Sequence, residues 1–351
     1  MSKPLLITMG DAAGIGPEII AKAFCESPAE MAGCVVVGDV ATLRRAAALT
    51  SLVRGASPSL PVAQLAAAAD WHAVPPRCIP VLQKCELPAL VPYGQVSALA
   101  GKAAADCIVW AARAALSGEV AAMVTAPIHK EALAAAGAAG AVFARYPGHT
   151  EMLQAEAAAF LGKAVSELPV RMMLANDELK TVLVSIHLSL RDAINAVTFE
   201  RVLQTLQIAH QSVRGVSGSP PRIAVAGLNP HAGEGGRFGR EELDIIAPAI
   251  AKARAEGLDV SGPFAPDTVF MRARARAGQA GEFDVVVAMY HDQGLIPVKY
   301  LGLAQGVNVT LGLPLVRTSP DHGTAFDIAG SGQADAASLI AAIRMARRLL
   351  G

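Results

Sequence analysis

Aromatic residues and net charge are scarce in this sequence. Of its 351 residues, 4% are Phe, Trp or Tyr, and 30 Lys and Arg residues are balanced by 30 Asp and Glu residues. A chain without surplus positive charge lacks the electrostatic footprint of a nucleic-acid-binding protein. The 53% content of hydrophobic residues excludes an intrinsically disordered chain and favours a globular α/β protein.

Long apolar runs, a leader pattern and paired cysteines are missing too. The nearest apolar stretch, residues 132–144, consists mostly of Ala and Gly and is too short to span a bilayer. The first strand-like run, residues 5–9, starts almost at Met1 without a signal-peptide pattern. The five cysteines include no Cys-x-x-Cys motif, which is typical of reduced thiols. We therefore expect a cytoplasmic protein with neither a membrane nor a nucleic-acid partner.

Two familiar nucleotide-binding motifs are also absent. Residues 10–16 read GDAAGIG, which lacks the G-x-G-x-x-G spacing of a dinucleotide fingerprint. The Gly-Lys-Ser/Thr sequence of a P-loop is missing as well. A tight strand-to-helix turn and a ligand-binding loop are equally good interpretations of residues 10–16.

What the sequence does contain is an alternation of strand-like and helical segments. Besides three runs that end at histidines, strands are predicted at 5–9, 34–38, 121–125 and 306–311. Helices are predicted from 17, at 41–49, 96–117, 130–139 and 199–213, and from about 241 and 336. Residues 217–221 are predicted as a turn, and residues 57–90 have too little periodicity for an assignment. The alternation predicts a mainly parallel sheet covered by helices, and the length suits two domains.

Three histidines stand at the ends of hydrophobic β-like runs. The runs are 181–187, 222–231 and 284–291, which end at His187, His231 and His291. Ligands of open α/β sheets bind beyond the carboxyl ends of the strands, and imidazole is a common ligand of zinc and related metals. One such histidine is more often a polar residue that simply leaves the sheet. Three at equivalent positions favour a metal site.

Two basic residues indicate an anionic substrate. Lys299 follows the third histidine closely in sequence, and Arg317 precedes the Gly-containing segment 322–332. Arg is suited to bidentate recognition of phosphate or carboxylate, although either residue alone could equally form a surface ion pair.

Six segments occur together in the order found in a known enzyme family. They are GHTE (148–151), IHLSLRD (186–192), GLNPHAGEGG (227–236), PDTVF (266–270), YHDQGLIPVK (290–299) and GVNVTLGLPLVRTSPDHGTAFDIAG (306–330). In these segments the chain resembles the 4-hydroxythreonine-4-phosphate dehydrogenase family of pyridoxal-phosphate biosynthesis. Residues 322–332 also resemble the nucleotide-binding loop of isocitrate and isopropylmalate dehydrogenases.

The resemblance implies a two-domain α/β/α fold like that of isocitrate and isopropylmalate dehydrogenases, with the active site in the interdomain cleft. The first domain would comprise residues 1–127 and 300–351, with the nucleotide-like loop 322–332. The second would comprise residues 128–299, with the metal site and the dimerisation surface. The resemblance also implies a homodimer whose active site is shared between subunits.

Transferred position by position, the resemblance assigns a role to each candidate residue. The implied metal ligands are His187, His231 and His291. The implied substrate contacts are His149, Thr150, Lys299, Asn308 and Arg317. The implied cofactor-binding residues are His322, Gly323, Thr324, Ala325 and Asp327. Candidates for the catalytic group that takes the proton are Asp292, Asp267 and Lys299, and the sequence does not choose among them.

The chain departs from the family pattern at three places. Ala12 stands where Pro is common, and Pro320 stands where a small aliphatic residue is usual. The alanine-rich stretch 132–147 is longer than usual and adjoins His149, so it could change substrate fit.

The implied reaction is oxidation of 4-phosphooxy-L-threonine by NAD, or alternatively NADP. The β-keto acid formed would decarboxylate to 3-amino-2-oxopropyl phosphate. One divalent metal per subunit is implied, with Zn²⁺ expected and Co²⁺ or Mg²⁺ as alternatives. A dehydrogenase of a four-carbon sugar-acid phosphate, threonate or erythronate 4-phosphate, is the alternative within the same class. A metal-dependent hydrolase or a non-catalytic metal-binding module would not need the loop after His322.

Overall fold

The chain forms two compact units, each containing six described strands. The computed structural model describes residues 3–53, 55, 58–141, 146, 148–213, 219–276, 279–302 and 305–350. The first unit comprises Met1–Leu168 and Leu313–Arg347, and the second comprises Pro169–Gly312 and Arg348–Gly351. The sequence-based boundaries at 127/128 and 299/300 differ from this division. Residues 130–161 stay with the first unit because their two helices pack on its long central helix.

The first unit contains a fully parallel sheet of six described strands. They are β1 (Leu5–Thr8), β2 (Cys34–Gly38), β3 (Val62–Leu65), β4 (Ile79–Gln83), β5 (Ala122–Thr125) and β12 (Arg317–Pro320). Their order is β3-β4-β2-β1-β5-β12. Its helices are α1 (Gly16–Glu26), α2 (Pro28–Met31), α3 (Val40–Val53), α4 (Ala98–Leu116), α5 (Lys130–Ala138), α6 (His149–Leu161) and most of α12 (Ala337–Leu350). Every residue of β1, β2, β5 and β12 is buried, as expected for parallel strands covered on both faces.

The second unit contains a mixed sheet. Its described strands are β6 (Arg171–Ala175), β7 (Lys180–Leu183), β8 (Ile223–Ala226), β9 (Val260–Phe264), β10 (Val285–Ala288) and β11 (Val307–Leu311). Their order is β11-β6-β7-β10-β8-β9, and only β6 runs antiparallel to its neighbours. Its helices are α7 (Leu190–Asn195), α8 (Phe199–Val213), α9 (Ala247–Ala255), α10 (Val269–Ala273) and α11 (His291–Tyr300). A core that includes Leu183, Val286 and Phe270 holds these elements together.

The predicted α/β class with a mainly parallel sheet is confirmed. The predicted segments 34–38 and 199–213 coincide with β2 and α8, and the other predicted elements differ at their ends by a few residues. Residues 57–90, left without assignment, contain β3 and β4. Residues 142–145, 147, 217 and 218, which belong to the alanine-rich stretch and the predicted turn, lie outside the described residues. None of the described helices is long and apolar enough to cross a bilayer.

Candidate active site

The three candidate histidines follow three neighbouring parallel strands of the second unit. In the order β7-β10-β8, the strands end at Leu183, Ala288 and Ala226, and His187, His291 and His231 lie within five residues of these ends. Carboxyl ends of parallel strands share one edge of a sheet. The chain order changes direction between β10 and β8, which is the position where such sheets form a ligand crevice.

Two of the histidines lie side by side. The ring centroids of His187 and His291 are 5.7 Å apart. Nδ1 of His291, the first residue of α11, lies 2.7 Å from the carboxylate of Asp292. The two histidines and Asp292 line a cavity of about 470 Å³ together with Leu188 and Tyr290. The carboxylate fixes the orientation of the imidazole, as carboxylates do for metal-binding histidines.

The third histidine is not part of this pair. His231 is exposed, and its ring lies 6.2 Å from that of Phe238. Among the described residues, no group of three His, Cys, Asp or Glu side chains is arranged so that it could hold a metal ion. The donor chemistry of the pair suits a transition metal, but two imidazoles are fewer than the three protein ligands of a catalytic site.

A buried glutamate shapes the loop that carries His231. Glu242 is 2% exposed, and its Oε1 accepts hydrogen bonds of 2.7 Å from the backbone N–H groups of Leu228 and Asn229. Its Oε2 accepts a third bond, of 2.9 Å, from the side chain of Asn229. The carboxylate therefore turns back toward this loop and holds its backbone in place.

Two candidate ligands lie in strained backbone. His187 and His231 have φ values of 49° and 52°, and Ala232 and Glu234 also have positive φ. Non-glycine residues adopt this left-handed conformation at an energetic cost, and such strain is concentrated at functional sites. The surrounding hydrogen bonds must compensate for it. Gln293 contributes by joining the two loops, since it donates to Gly227 O at 2.8 Å and accepts from the N–H of Met289 at 2.7 Å.

The other candidates of the second unit lie farther apart than their spacing in the sequence suggested. Asp267 and Asp292 are exposed. Lys299 lies in the last turn of α11, and two helical turns separate it from His291. At a rise of about 1.5 Å per residue, this separation is roughly 12 Å along the helix axis. Asn308 is half-buried on β11, opposite Leu174 of β6.

In the first unit, Arg317 is buried at the start of β12. It is 4% exposed, and its Nε and Nη2 donate to the hydroxyl of Thr125 at 3.1 and 2.6 Å. Pairing between β12 and β5 brings these two residues together. Burial lowers the pKa of Arg317 to about 10, and the nearby carboxylate of Glu151 opposes that change. The guanidinium therefore stays charged at neutral pH in a dry environment, where it favours an anion.

His149 adjoins this arginine. His149 is the first residue of α6 and Thr150 is the second, and both are half-buried. Burial and the positive charge of Arg317 hold the pKa of His149 well below its usual value, so the imidazole is neutral. Its Nε2 is buried and has no hydrogen-bond partner within the described part of the chain. The structure thus brings His149 and Arg317 together, as expected for two contacts to one substrate group.

The nucleotide-like loop follows β12 and packs on the loop after β1. The carbonyl oxygen of Thr324 accepts a hydrogen bond of 3.0 Å from the N–H of Ile15, and Ala325 has a φ of 41°. A Cβ on Gly14 would collide with Thr324, so the close approach requires glycine. Nδ1 of His322 lies 3.1 Å from Gly323 O. Asp327 and Gly323 are exposed.

The far end of this loop is fixed by a buried ion pair of α1. Lys22 donates to the carbonyl oxygens of Gly332 and Ala334 at 2.7 and 2.6 Å. Glu18, 3.2 Å from Lys22, accepts a bond of 3.0 Å from the N–H of Ala334. The loop is therefore tied to α1 at both ends.

Thr125 and Glu242 were not among the candidate residues predicted from the sequence. Thr125 ends the predicted strand 121–125, directly before the chain leaves the sheet, and that position was the available signal. No signal predicted the inward turn of the Glu242 side chain, because it depends on backbone N–H groups of another loop.

The chain matches a known family along most of its length. Residues 30–346 match the family described as pyridoxal phosphate biosynthetic protein PdxA. A 4-hydroxythreonine-4-phosphate dehydrogenase of Beijerinckia indica is 51% identical over 349 residues, which cover 99% of this chain and 96% of that protein. A D-threonate 4-phosphate dehydrogenase of Salmonella typhimurium is 44% identical over 348 residues, which cover 99% of each.

A solved structure shows the same fold. The crystal structure of a 4-hydroxythreonine-4-phosphate dehydrogenase from Klebsiella pneumoniae is similar with a TM-score of 0.85 and 43% sequence identity. The similarity covers 100% of this chain and 98% of that one.

Proposed function

We infer the function of this chain from its family: it belongs to the pyridoxal phosphate biosynthetic protein PdxA family, which it matches over residues 30–346. Relatives that are 51% and 44% identical to it are dehydrogenases of phosphorylated four-carbon hydroxy acids, so the chain is an oxidoreductase. We propose that it oxidises 4-phosphooxy-L-threonine with NAD, in pyridoxal-phosphate biosynthesis.

The reaction breaks the C–H bond of the secondary alcohol. A bound nicotinamide would supply the redox chemistry that no side chain can provide, by accepting the hydride. The hydroxyl proton passes to Asp292, Asp267 or Lys299. Decarboxylation of the resulting β-keto acid returns an electron pair to the carbonyl and yields 3-amino-2-oxopropyl phosphate.

The buried Arg317–His149 arrangement is the observation that carries this proposal. A guanidinium held by the uncharged hydroxyl of Thr125 is suited to charge-assisted hydrogen bonds with a phosphate. Neutral His149, with Nε2 buried and aimed at no described partner, can donate to or accept from the same substrate. We propose that Thr150, Lys299 and Asn308 complete the contacts to the substrate, and that residues 322–327 contact the cofactor.

We propose that His187 and His291 bind a divalent metal, most naturally Zn²⁺, and that His231 of the partner subunit of a homodimer completes the site. The ring centroids of His187 and His291 are 5.7 Å apart in one chain. His231 of the same chain does not form a three-ligand group with them among the described residues. When bound, such an ion supplies Lewis acidity to the substrate hydroxyl. Asp292 orients His291 through its 2.7 Å contact with Nδ1.

The formation of NADH with a panel of substrates tests the proposed reaction. The panel contains 4-phosphooxy-L-threonine, D-threonate 4-phosphate and the unphosphorylated form of each. We expect fastest turnover with the phosphorylated amino acid. Absence of NADH and NADPH formation with every substrate would refute the dehydrogenase function.

D-threonate 4-phosphate is the second candidate substrate, because a relative of that name is 44% identical over 99% of both chains. It carries a hydroxyl where the amino acid carries an amine. A higher kcat/KM for D-threonate 4-phosphate in the same panel would assign that activity instead.

Mixed dimers test whether the site is shared. In a dimer of one His187→Ala chain and one His231→Ala chain, one of the two shared sites has all three histidines. Random exchange of isologous subunits should therefore restore about a quarter of wild-type activity. A mixture of His187→Ala and His291→Ala chains should restore none, since these two histidines come from one chain. The reverse pattern would contradict the proposed sharing.

A further inference from the structure

The first unit has its own topological switch point, and two residues with unpartnered polar atoms flank it. Along the chain, β1 is followed by β2 on one side, and β5 is then placed on the other side of β1. Open parallel sheets bind ligands in the crevice at such a reversal, beyond the carboxyl ends of the two strands. Asp11 follows β1 and His129 follows β5, so both residues lie at this crevice.

Asp11 is almost completely buried. It is 1% exposed, and its Oδ1 accepts a hydrogen bond of 2.8 Å from the N–H of Ala13. Its Oδ2 is buried without a hydrogen-bond partner among the described residues. Burial raises the pKa of Asp11, while the N–H of Ala13 and the imidazole and N–H of His129 lower it; the His129 N–H acts on the carboxylate without reaching hydrogen-bond geometry to Oδ2. Leaving such a buried oxygen unsatisfied is energetically costly, so binding of a ligand with a hydrogen-bond donor is favoured here.

His129 presents the complementary group. Its Nδ1 is buried and likewise lacks a partner in the described structure. Its ring stacks on that of Phe326 in the nucleotide-like loop, with centroids 4.4 Å apart and an interplanar angle of 20°. The stacking fixes the imidazole plane and connects the switch point to the loop after β12.

The two loops form one rigid surface. The N–H of Asp11 donates to Pro127 O at 2.9 Å, and a Cβ on Gly10 would collide with the same carbonyl oxygen. His322, in the loop after β12, adds a third buried nitrogen, Nε2, without a partner among the described residues. Orphaned polar atoms therefore follow three adjacent strands, β1, β5 and β12.

We propose that Asp11 and His129 bind the carboxamide of the nicotinamide ring, with Oδ2 of Asp11 accepting from its NH₂ and Nδ1 of His129 donating to its carbonyl oxygen. A carboxamide has one donor and one acceptor group side by side, which match this pair. The assignment rests on the proposed use of a nicotinamide cofactor. It gives the GDAAGIG loop a binding role that its lack of a dinucleotide fingerprint did not indicate.

Two conservative variants separate the polar contacts from the shape of the site. In Asp11→Asn, the side-chain oxygen remains bonded to Ala13, and an NH₂ group then faces the carboxamide NH₂. His129→Phe retains a ring that can stack on Phe326 but lacks Nδ1. Loss of the hydrogen bond to the Asp11 carboxylate, or of the one from Nδ1 of His129, should weaken NADH binding by about tenfold.

The measurement is equilibrium binding to the whole protein, by NADH fluorescence and by calorimetry with ADP-ribose, which lacks the nicotinamide. We expect weaker NADH binding by both variants, while ADP-ribose binding changes by less than about twofold. Unchanged NADH binding, or equal weakening of both ligands, would overturn the assignment. If the wild-type protein binds neither NADH nor NADPH, it is the proposed dehydrogenase function that fails.

A cofactor analogue identifies the atom involved. In reduced 3-acetylpyridine adenine dinucleotide, a methyl group replaces the carboxamide NH₂. Wild type should bind NADH more tightly than this analogue, and Asp11→Asn should have lost most of the preference. An undiminished preference in Asp11→Asn would show that Asp11 does not contact the NH₂ group.

Discussion

The two units place their candidate functional groups at the same kind of edge but hold them in different ways. In the first unit, Asp11 and Arg317 are 1% and 4% exposed, and hydrogen bonds within the unit hold both side chains. In the second unit, the His291 and Asp292 side chains are 37% and 72% exposed, and His231 stands apart. The first edge therefore has buried polar groups whose positions are fixed within the unit. The second edge is open and provides a partial set.

The two units differ in where the energetic cost of their candidate sites lies. Buried charges and orphaned polar atoms are costly, so their presence in the first unit indicates ligands that supply the missing partners. In the second unit, the cost lies in the backbone, because His187 and His231 adopt positive φ values. Because these histidine side chains are exposed, we expect a bound metal ion to fix their positions.

Removal of one histidine should disable the second edge alone. We expect His231→Asn to lower metal affinity by more than about 100-fold and to abolish turnover, since loss of a residue that only hydrogen-bonds to a metal ligand already costs up to that much. Asn tolerates the left-handed backbone found at this position, so the loop should keep its path. Metal analysis of the purified protein measures the loss, and NADH binding, assigned to the first edge, should be unchanged. His72→Asn, at an exposed histidine, is the matched control.

Removal of the buried arginine should affect the first edge and the recognition of phosphate. Arg317→Ala should cost about 2–5 kcal/mol in kcat/KM, as for truncating one partner of a buried charge pair. Arg317→Lys should recover only part, because the bidentate geometry is lost. Rates with phosphorylated and unphosphorylated 4-hydroxythreonine measure the effect. A loss by the same factor for both substrates would mean that Arg317 does not contact the phosphate.

A smaller change at Thr125 tests whether the guanidinium must be held in place. Thr125→Val removes the hydroxyl that accepts from Nε and Nη2 of Arg317. The expected loss is about 1–2 kcal/mol in kcat/KM, in the range of one hydrogen bond to a charged group. The loss should be confined to phosphorylated substrates. Thr318→Val is the control, because that hydroxyl donates to Ala342 O instead.

The smallest expected effect concerns the pH dependence of stability. The pKa of His149 is lower in the folded than in the unfolded state, so below pH 6.5 the unfolded chain binds a proton that the folded chain does not. The stability that neutral His149 contributes is present above pH 6.5 and is lost as the pH falls. Between pH 6.5 and 5.5, wild type should lose about 1 kcal/mol more than His149→Gln. Denaturant unfolding at both pH values measures the difference, and equal losses would show that His149 does not resist protonation.

The alternation of strands and helices was predictable because parallel strands buried on both faces leave unbroken apolar runs in the sequence. The same runs correctly placed the three histidines beyond strand ends. The distance between Lys299 and His291 was not predictable. Gly294 and Pro297 disfavour a helix in isolation, yet α11 forms there and separates the two residues by two turns. Tertiary packing, with Gly294 close to Leu183, overrides the local preference.

Side-chain direction was the other unpredictable quantity. Glu242 and Asp11 stand in segments whose sequence allows an exposed carboxylate equally well. Their burial depends on backbone N–H groups of Leu228 and Asn229 in one case and of Ala13 in the other. A sequence pattern predicts which residues follow the strands. Which of their side chains become buried depends on contacts between loops, and the pattern does not predict these contacts.

The anchoring of the nucleotide-like loop has a consequence for the order in which the protein is made. Lys22 and Glu18 find their backbone partners 310 to 316 positions later in the chain. On the ribosome, the continuous segment 169–312 of the second unit emerges before those partners exist. Until residues 332–334 are synthesised, Lys22 and Glu18 lack these backbone partners, and the five strands β1–β5 lack β12, the sixth strand of the first unit. The nucleotide-like loop of the first unit, which is begun earliest in translation, can therefore be anchored only after segment 169–312 has been made.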